Sequence, residues 1–226
     1  MPLTLYLHPL ASFCHKVLIA LYENGAAFEP RIVDFADEEA RAGFLDIWPV
    51  GKIPVLRDEN RDRTVAESSI IIEYVDRHYP GASAMLPDDA EARLDARLWD
   101  RFFDLYVHVP MQKIVTDRLR PADERDRRGV VDARATLATA YAMIERHMED
   151  RTWAAGERFS IADCAAAPAL FYAGILEPFP DGHGNVAAYF ERLLERPSFA
   201  RTLAEARPYF HMFPFRDAMP ARFLGG

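Results

Sequence analysis

The chain has 226 residues, half of them hydrophobic, with 35 acidic against 27 basic side chains and a formal net charge of −8. This balance disfavours nucleic acids and anionic membranes as partners, because both select a surplus of Lys and Arg. No apolar run approaches the ~20 residues of a membrane helix, and the N-terminal residues lack the charged and apolar regions of a signal peptide. We therefore expect a cytoplasmic protein with one large or two small domains.

The first predicted strand and helix meet in a loop that is suited to holding an anion. Residues 1–7 are apolar enough for a short strand that ends before Pro9, and a helix with one buried face begins at Ser12. Free N–H groups at the start of that helix favour a carboxylate, a phosphate or a thiolate. The alternative is that Ser12 only caps the helix and the junction binds nothing.

Cys14 and Cys164 are the only cysteines, and they lie in segments of different character. Neither a disulfide framework nor a metal site can be built from two such residues, so we expect no metal. Cys14 falls in the first turn of the first helix, where a small buried hydrophobe is the simpler interpretation. His8 and His15 receive no role from their positions alone.

The first 80 residues continue with alternating helices and strands. Gly25 is a typical signal for the end of the first helix, and polar residues open the last helix of this part. Pro54 must begin its strand or lie at a sheet edge, since proline donates no hydrogen bond to a sheet. The predicted elements are a strand at residues 28–35, a helix at 36–48, a hairpin of two strands at 53–58 and 64–66, and a helix at 67–78.

Beyond residue 90 the apolar spacing is almost wholly helical. Prolines, a glycine and small residues interrupt the pattern at residues 79–89, which predicts a domain boundary there. Pro110 lies inside the first long helix and predicts a kink or a break near Val107. The predicted helices are residues 90–119, 123–150, 160–173, 185–196 and 198–206. The third of them is apolar on all sides and therefore belongs inside a bundle.

Four motifs, found in the family's order, resemble those of cytosolic glutathione S-transferases: HPLASFCHKVLIALYENG, WPVGKIPVL, AESSIIIEYV and GERFSIADCAAAPAL. The last motif contains Ser160 and Asp163 as a capping box, which we interpret as structural. The resemblance covers the whole chain and implies an α+β fold. It implies a thioredoxin-like βαβ-α-ββα domain over residues 1–80, a linker at 81–89 and an all-α helical-bundle domain over 90–226.

The resemblance also implies a detoxifying transferase that conjugates the thiolate of glutathione to small hydrophobic electrophiles and acts as a homodimer. In such a protein the Glu67 carboxylate takes the ammonium of the γ-glutamyl group, and Ser68 takes its carboxylate. The main chain of Ile53, just before Pro54, pairs with the cysteinyl unit. Lys52 faces the glycine carboxylate, with a solvated turn residue as the alternative.

The sequence departs from the family pattern at the catalytic position. In phi-like and zeta-like members the activating serine stands six residues before the counterpart of Val17, and that position is Ala11 here. Ser12 carries the only hydroxyl in the loop, so we predict it as the catalytic donor, with loop amides as the alternative. The electrophile pocket is predicted from apolar residues at helical spacing, although such residues usually form core: Leu10, Phe103, Tyr106, Val107 and Met111.

Four functions stay open on the sequence. They are a glutathione transferase, a zeta-like isomerase or dehalogenase that uses glutathione, a ligand-binding homologue without catalysis, and a plain interaction domain. Retention on immobilised glutathione separates the first three from the last.

Overall fold

The structure, a computed structural model, describes residues 3–81 and 84–225. Residues 1 and 2 of the predicted first strand, residues 82 and 83 of the predicted linker, and residue 226 lie outside the described part. Within the described ranges no helix is both long and apolar enough to cross a membrane.

A mixed four-stranded sheet with three helices forms the first part of the protein. Its elements are β1 Leu3–Leu7, α1 Ser12–Asn24, β2 Glu29–Ile32, α2 Glu38–Ile47, β3 Val55–Asp58, β4 Arg63–Ala66 and α3 Ser68–His78. The strand order is β2-β1-β3-β4, with β1 parallel to β2 and antiparallel to β3, and β3 antiparallel to β4. Two parallel neighbouring strands need a crossover connection, and α1 forms this connection between β1 and β2. Gly25 ends α1 as predicted, with φ 74°.

Helices make up the rest of the described chain. They are α4 Ala90–Phe102, a π-helical segment Phe103–His108, α5 Val109–Leu119, α6 Arg127–His147, α7 Ile161–Leu176, α8 Gly184–Leu194, α9 Pro197–Ala206 and α10 Ala221–Leu224. The Ala-rich α7 is buried over almost its whole length and packs against α1, α4 and α8. The predicted fold class, a thioredoxin-like domain followed by a helical bundle, is therefore confirmed.

The predicted interruption of the long helix is a π-helical segment. Val109 N–H donates to the carbonyl of Asp104, five residues earlier instead of four. Pro110 follows as the second residue of α5, where a missing N–H costs little. The wider spacing lets residues 90–119 continue past the proline without a loop.

The predicted capping box at the start of α7 is present. Ser160 and Asp163 exchange cap hydrogen bonds, and the Asp163 carboxylate also accepts from Ala154 N–H at 2.8 Å and from the Tyr189 hydroxyl at 2.6 Å. Asp163 is fully buried. The N–H and the hydroxyl of Ser160, the Ala154 N–H and the Tyr189 hydroxyl all donate to it and replace the water that burial removes. These four hydrogen bonds support the structural interpretation of the motif.

The apolar stripe along α4 and α5 does not face the core. Of the residues that define the helical spacing here, Phe102 is buried, whereas most are strongly exposed: Leu94 62%, Leu98 60%, Leu105 45% and Val109 49%. Periodicity thus identified a genuine apolar face, but that face is open in the single chain. Exposed apolar side chains at this density are typical of a protein interface.

Candidate functional site

A cleft of about 290 Å³ lies between the sheet and the junction of α4 and α5. Its walls come from α1, the segment before β3, the start of α3, and the π-helical segment with its neighbours. The lining residues are Phe13, Trp48, Lys52, Ile53, Pro54, Ala66, Glu67, Ser68, Arg101, Asp104, Leu105, Val109 and Gln112. Among them are all five residues that the sequence predicts for glutathione, Lys52, Ile53, Pro54, Glu67 and Ser68.

One wall combines a turn before a strand with the start of a helix. The Ile53–Pro54 peptide bond is cis and precedes β3 directly, so Ile53 presents its main chain next to the sheet. Across the cleft, Glu67 precedes α3 and has φ 67°, a left-handed value that a side chain disfavours. Ser68 is the first residue of α3 and is buried to 7% exposure. Free N–H groups at this helix end suit a carboxylate.

The loop between β1 and α1 differs from the prediction. The N-cap of α1 is Ala11, which makes no side-chain hydrogen bond, and Ser12 is the first helical residue. Ser12 therefore does not cap the helix, and its side chain, 4% exposed, is not among those lining the cleft. In the described part of the chain the main-chain N–H groups of Ser12 and Phe13 have no hydrogen-bond partner. This end of α1 is uncapped.

The predicted electrophile pocket is corrected by burial. Phe103 and Val107 are fully buried and Met111 is 3% exposed, because they lie on the face of the π-helical segment and α5 that packs into the core. Tyr106 is half exposed and contacts Phe102, and Leu10 is half buried, but neither lines the cleft. The apolar part of the cleft comes instead from Phe13, Trp48, Leu105 and Val109.

A buried ionic cluster adjoins the cleft and was missed from the sequence. The Lys16 ammonium is fully buried, 2.6 Å from Asp100 and 2.7 Å from Asp104, and it donates to the Ser69 hydroxyl at 2.8 Å. Ser69 in turn donates to Asp100 at 2.6 Å. On the cleft side, Arg101 donates to Asp104 at 3.0 Å. The sequence offers two signals for this cluster. Lys16 lies in a largely apolar helix, and the two acids Asp100 and Asp104 are four residues apart.

The pKa values of the two carboxylates in this cluster shift in opposite directions. Burial raises the pKa of Asp100. Burial also acts to raise the pKa of Asp104, but contact with His108 and the charge of Lys16 outweigh it, and the pKa falls below its ordinary value. Burial lowers the pKa of His108, so its ring is neutral at neutral pH. Asp104 is therefore the fixed negative charge at the edge of the cleft.

A larger cavity, about 520 Å³, lies between α1, β2 and α9 and shares no lining residue with the cleft. Its walls are mostly apolar, and its charged groups, Arg201 and Glu205, are paired with each other at 2.9 Å. Size favours this cavity, but the convergence of charged and polar groups favours the cleft as the functional site. Among the described residues, no group of three or more His, Cys, Asp or Glu is placed to hold a metal.

Comparison with protein families assigns both parts of the chain. Residues 11–78 match the family sequence model described as Glutathione S-transferase, N-terminal domain, and residues 105–197 match that of Glutathione S-transferase, C-terminal domain. Among curated relatives, a stringent starvation protein A homolog from Histophilus somni is 30% identical over 212 residues, which cover 91% of this chain and 92% of the relative.

Two solved structures share the architecture. A glutathione S-transferase from Methylobacillus flagellatus KT, solved with GSH bound, has a TM-score of 0.80 at 25% identity, with 88% of this chain and 98% of that one covered. A glutathione S-transferase from Methylobacterium radiotolerans JCM 2831, in complex with glutathione sulfonate, has a TM-score of 0.75 at 28% identity, with 88% and 93% covered.

Proposed function

Because this chain belongs to the cytosolic glutathione S-transferase family, we propose that it joins the thiol of glutathione to small hydrophobic electrophiles in the cytoplasm, as a detoxifying enzyme. The observation that carries the proposal is the cleft, where residues from the turn before β3 and from the start of α3 meet. Both of its cysteines are free, which suits a reducing compartment. The solved relatives from Methylobacillus and Methylobacterium carry glutathione or its sulfonate.

Glutathione binds, in this proposal, along the wall formed by residues 52–54 and 67–68. Ser68 and the N–H groups of α3 hold the γ-glutamyl carboxylate, and Glu67 holds its ammonium. Asp104 adds a second negative charge near the same end of the cleft. The main chain of Ile53 pairs with the cysteinyl unit, and Lys52, which is exposed, neutralises the glycine carboxylate.

The thiol is activated, in this proposal, by main-chain groups instead of a side-chain hydroxyl. The N–H groups of Ser12 and Phe13 and the positive end of α1 stabilise the thiolate, since no side chain caps this helix. A free thiol has a pKa of about 8.5, and a decrease of about two units is worth ~2.7 kcal/mol. Ser12 thus keeps the catalytic assignment through its main-chain N–H, while its side chain does not line the cleft.

The electrophile lies against the apolar side of the cleft, formed by Phe13, Leu105 and Val109. Leu105 and Val109 are also exposed, so part of this surface continues outside the cleft. An apolar wall next to the thiolate selects hydrophobic electrophiles.

A homodimer follows from the exposed apolar side chains of Leu94 and Leu98 on α4, which a second copy covers in this proposal. Sedimentation at micromolar concentration should give about twice the 25.7 kDa mass of one chain. Leu98→Glu should shift the protein toward the monomer. Val131→Glu, at a residue 59% exposed on α6, is the matched control and should leave the mass unchanged.

A second candidate, a glutathione-binding protein without transferase activity, is favoured by one observation, the absence of a hydroxyl at Ala11. Two measurements separate the candidates: retention on immobilised glutathione, and turnover of chlorodinitrobenzene. Retention with turnover supports the transferase, retention without turnover supports the binding protein, and loss of both excludes both.

The binding site itself is tested by Ser68→Ala. This substitution should raise the KM for glutathione about tenfold, because it removes a hydrogen bond to a charged group, while kcat stays unchanged. Thr139→Ala, which removes an exposed hydroxyl on α6, is the control. An unchanged KM in folded Ser68→Ala would remove Ser68 from the site.

A further inference from the structure

We propose that His15 is a positioning residue that fixes the β1–α1 loop through the main-chain carbonyl of Pro9, and so holds the N–H groups of Ser12 and Phe13 in place for the thiol. This inference deepens the proposed function and rests on it for the identity of the thiol. The geometry of the loop itself stands independently of that function.

The contact between His15 and Pro9 joins the interior of α1 to the middle of the loop. His15 is fully buried, and its Nε2 lies 2.5 Å from the carbonyl oxygen of Pro9, six residues earlier. Pro9 is also buried and, as a proline, has no N–H, so this carbonyl is its only main-chain hydrogen-bonding group. In the described part of the chain no other donor reaches it.

The ring donates in this contact. Burial lowers the pKa of His15 to about 4, so the imidazole is neutral at neutral pH and carries a single proton. A carbonyl oxygen only accepts, so the proton sits on Nε2. The tautomer is thereby determined by Pro9.

Packing alone does not account for a histidine at this position. Its Nδ1 is buried without a partner in the described structure, which an apolar side chain of similar size would avoid. The bond to Pro9 is the only hydrogen bond that the ring makes there. The Nε2 atom of His15 is therefore explained by the loop that it holds and not by the core around it.

In the described part of the chain, the other hydrogen bonds of the loop do not involve Pro9. Leu10 N–H donates to His8 Nδ1 at 3.2 Å, and Ala11 N–H donates to the His8 carbonyl at 2.9 Å. The Ala11 carbonyl accepts from Cys14 N–H at 2.8 Å and from His15 N–H at 3.1 Å, which joins the end of the loop to the first turn of α1. None of these bonds reaches Pro9 in the middle of the loop. The His15 ring supplies that contact, two to three residues from the amides assigned to the thiolate.

The test compares His15→Met with His15→Gln. The two side chains have the same unbranched length, but only Gln places an N–H donor as far from Cβ as Nε2 is in histidine. We expect His15→Met to lower kcat on the order of tenfold and to raise the thiol pKa of bound glutathione, with the KM for glutathione within twofold. His15→Gln should restore kcat to within about threefold of the wild type. Ultraviolet titration of the bound thiolate gives the pKa directly.

Hydrogen exchange in the absence of glutathione separates this inference from the proposed function. In His15→Met the amides of Leu10 and Ala11, whose hydrogen bonds depend on the shape of the loop, should exchange faster than in the wild type and in His15→Gln. If the wild type neither binds glutathione nor lowers its thiol pKa, the proposed function fails, and the exchange rates still decide the positioning role. Equal exchange and equal thiol pKa in all three proteins, or equal damage in both folded variants, overturn the inference.

Discussion

Ala11 stands where a hydroxyl would serve both the helix and the thiol. Its backbone, φ −77° and ψ 115°, has the extended conformation of an N-cap, yet its methyl group accepts no hydrogen bond. The N-terminus of α1 therefore has no side-chain acceptor of its own, and Phe13, its second residue, lines the cleft. The residue at position 11 therefore affects both the stability of α1 and the proposed activation of the thiol.

Ala11→Ser should stabilise the protein by about 1 kcal/mol, because the new hydroxyl caps α1, and should lower the thiol pKa of bound glutathione. Urea unfolding and ultraviolet titration measure the two effects. Ser12→Ala is the control, since a residue in the first helical turn that makes no cap bond should change neither quantity much. A thiol pKa that rises in Ser12→Ala would return the donor role to the Ser12 hydroxyl.

Acid should destabilise the protein through His15. Its pKa is lowered to about 4 in the folded state, mainly by burial, whereas an unfolded histidine has a pKa of about 6.5. As the pH falls from 6.5 toward 4, His15 binds a proton in the unfolded state but stays largely unprotonated in the folded state. The free energy of unfolding should then decrease by about 2.5 kcal/mol at pH 4.5 from this residue alone.

The measurement is urea unfolding at pH 7.0 and pH 4.5. The wild type should lose about 2.5 kcal/mol more than His15→Gln between the two pH values, since glutamine does not titrate. His211→Gln, at an exposed histidine, should follow the wild type. Equal losses in the wild type and His15→Gln would contradict the assignment.

At the scale of elements, the cap at the start of α7 also holds Ala154 and Tyr189 through the Asp163 carboxylate. Asp163→Ala leaves several buried donors without an acceptor, so we expect a loss of about 3–5 kcal/mol in the free energy of unfolding. Ser160→Ala removes only the cap hydroxyl and should cost about 1 kcal/mol. Urea denaturation gives both values, and equal losses would mean that the carboxylate holds nothing beyond the cap.

The sequence was sufficient for the elements whose signals are local. The capping box, the glycine at the end of α1 and the proline in the long helix each act within a few residues, and all were identified. The side of a helix that meets the core is not a local property. Leu94 and Leu98 have the spacing of core residues and are exposed, while Phe103 and Val107 were assigned to a pocket and are buried.

The candidate site also contains residues that local motifs identify and residues that they do not. The residues of the glutathione wall follow from two short motifs, and they line one cleft. Lys16 was missed because a lysine in an amphipathic helix usually reaches solvent, and its acidic partners lie 84 and 88 positions later in the chain. No pattern within α1 indicates that those partners exist.

At the scale of the whole molecule, the Lys16 cluster joins the sheet part to the helical part. Lys16→Met should cost about 3–5 kcal/mol, since it leaves Asp100 and Asp104 buried without a cation. Adding Asp100→Asn should recover part of this loss by removing one carboxylate. Lys113→Met is the control, because its pairing with Asp126 is partly exposed and should be worth at most about 1 kcal/mol. Urea unfolding ranks the three variants, and a Lys16→Met loss no larger than the control would contradict the role.

The distribution of this cluster limits how the chain can be divided or recombined. The ammonium belongs to α1 and the bridging hydroxyl to α3, whereas both carboxylates belong to the helices that follow. A fragment ending at the boundary would present a bare cation on an apolar surface, and the complementary fragment two adjacent anions. A chimera with a relative must therefore transfer all four side chains together, so the two halves can diverge only as a matched pair.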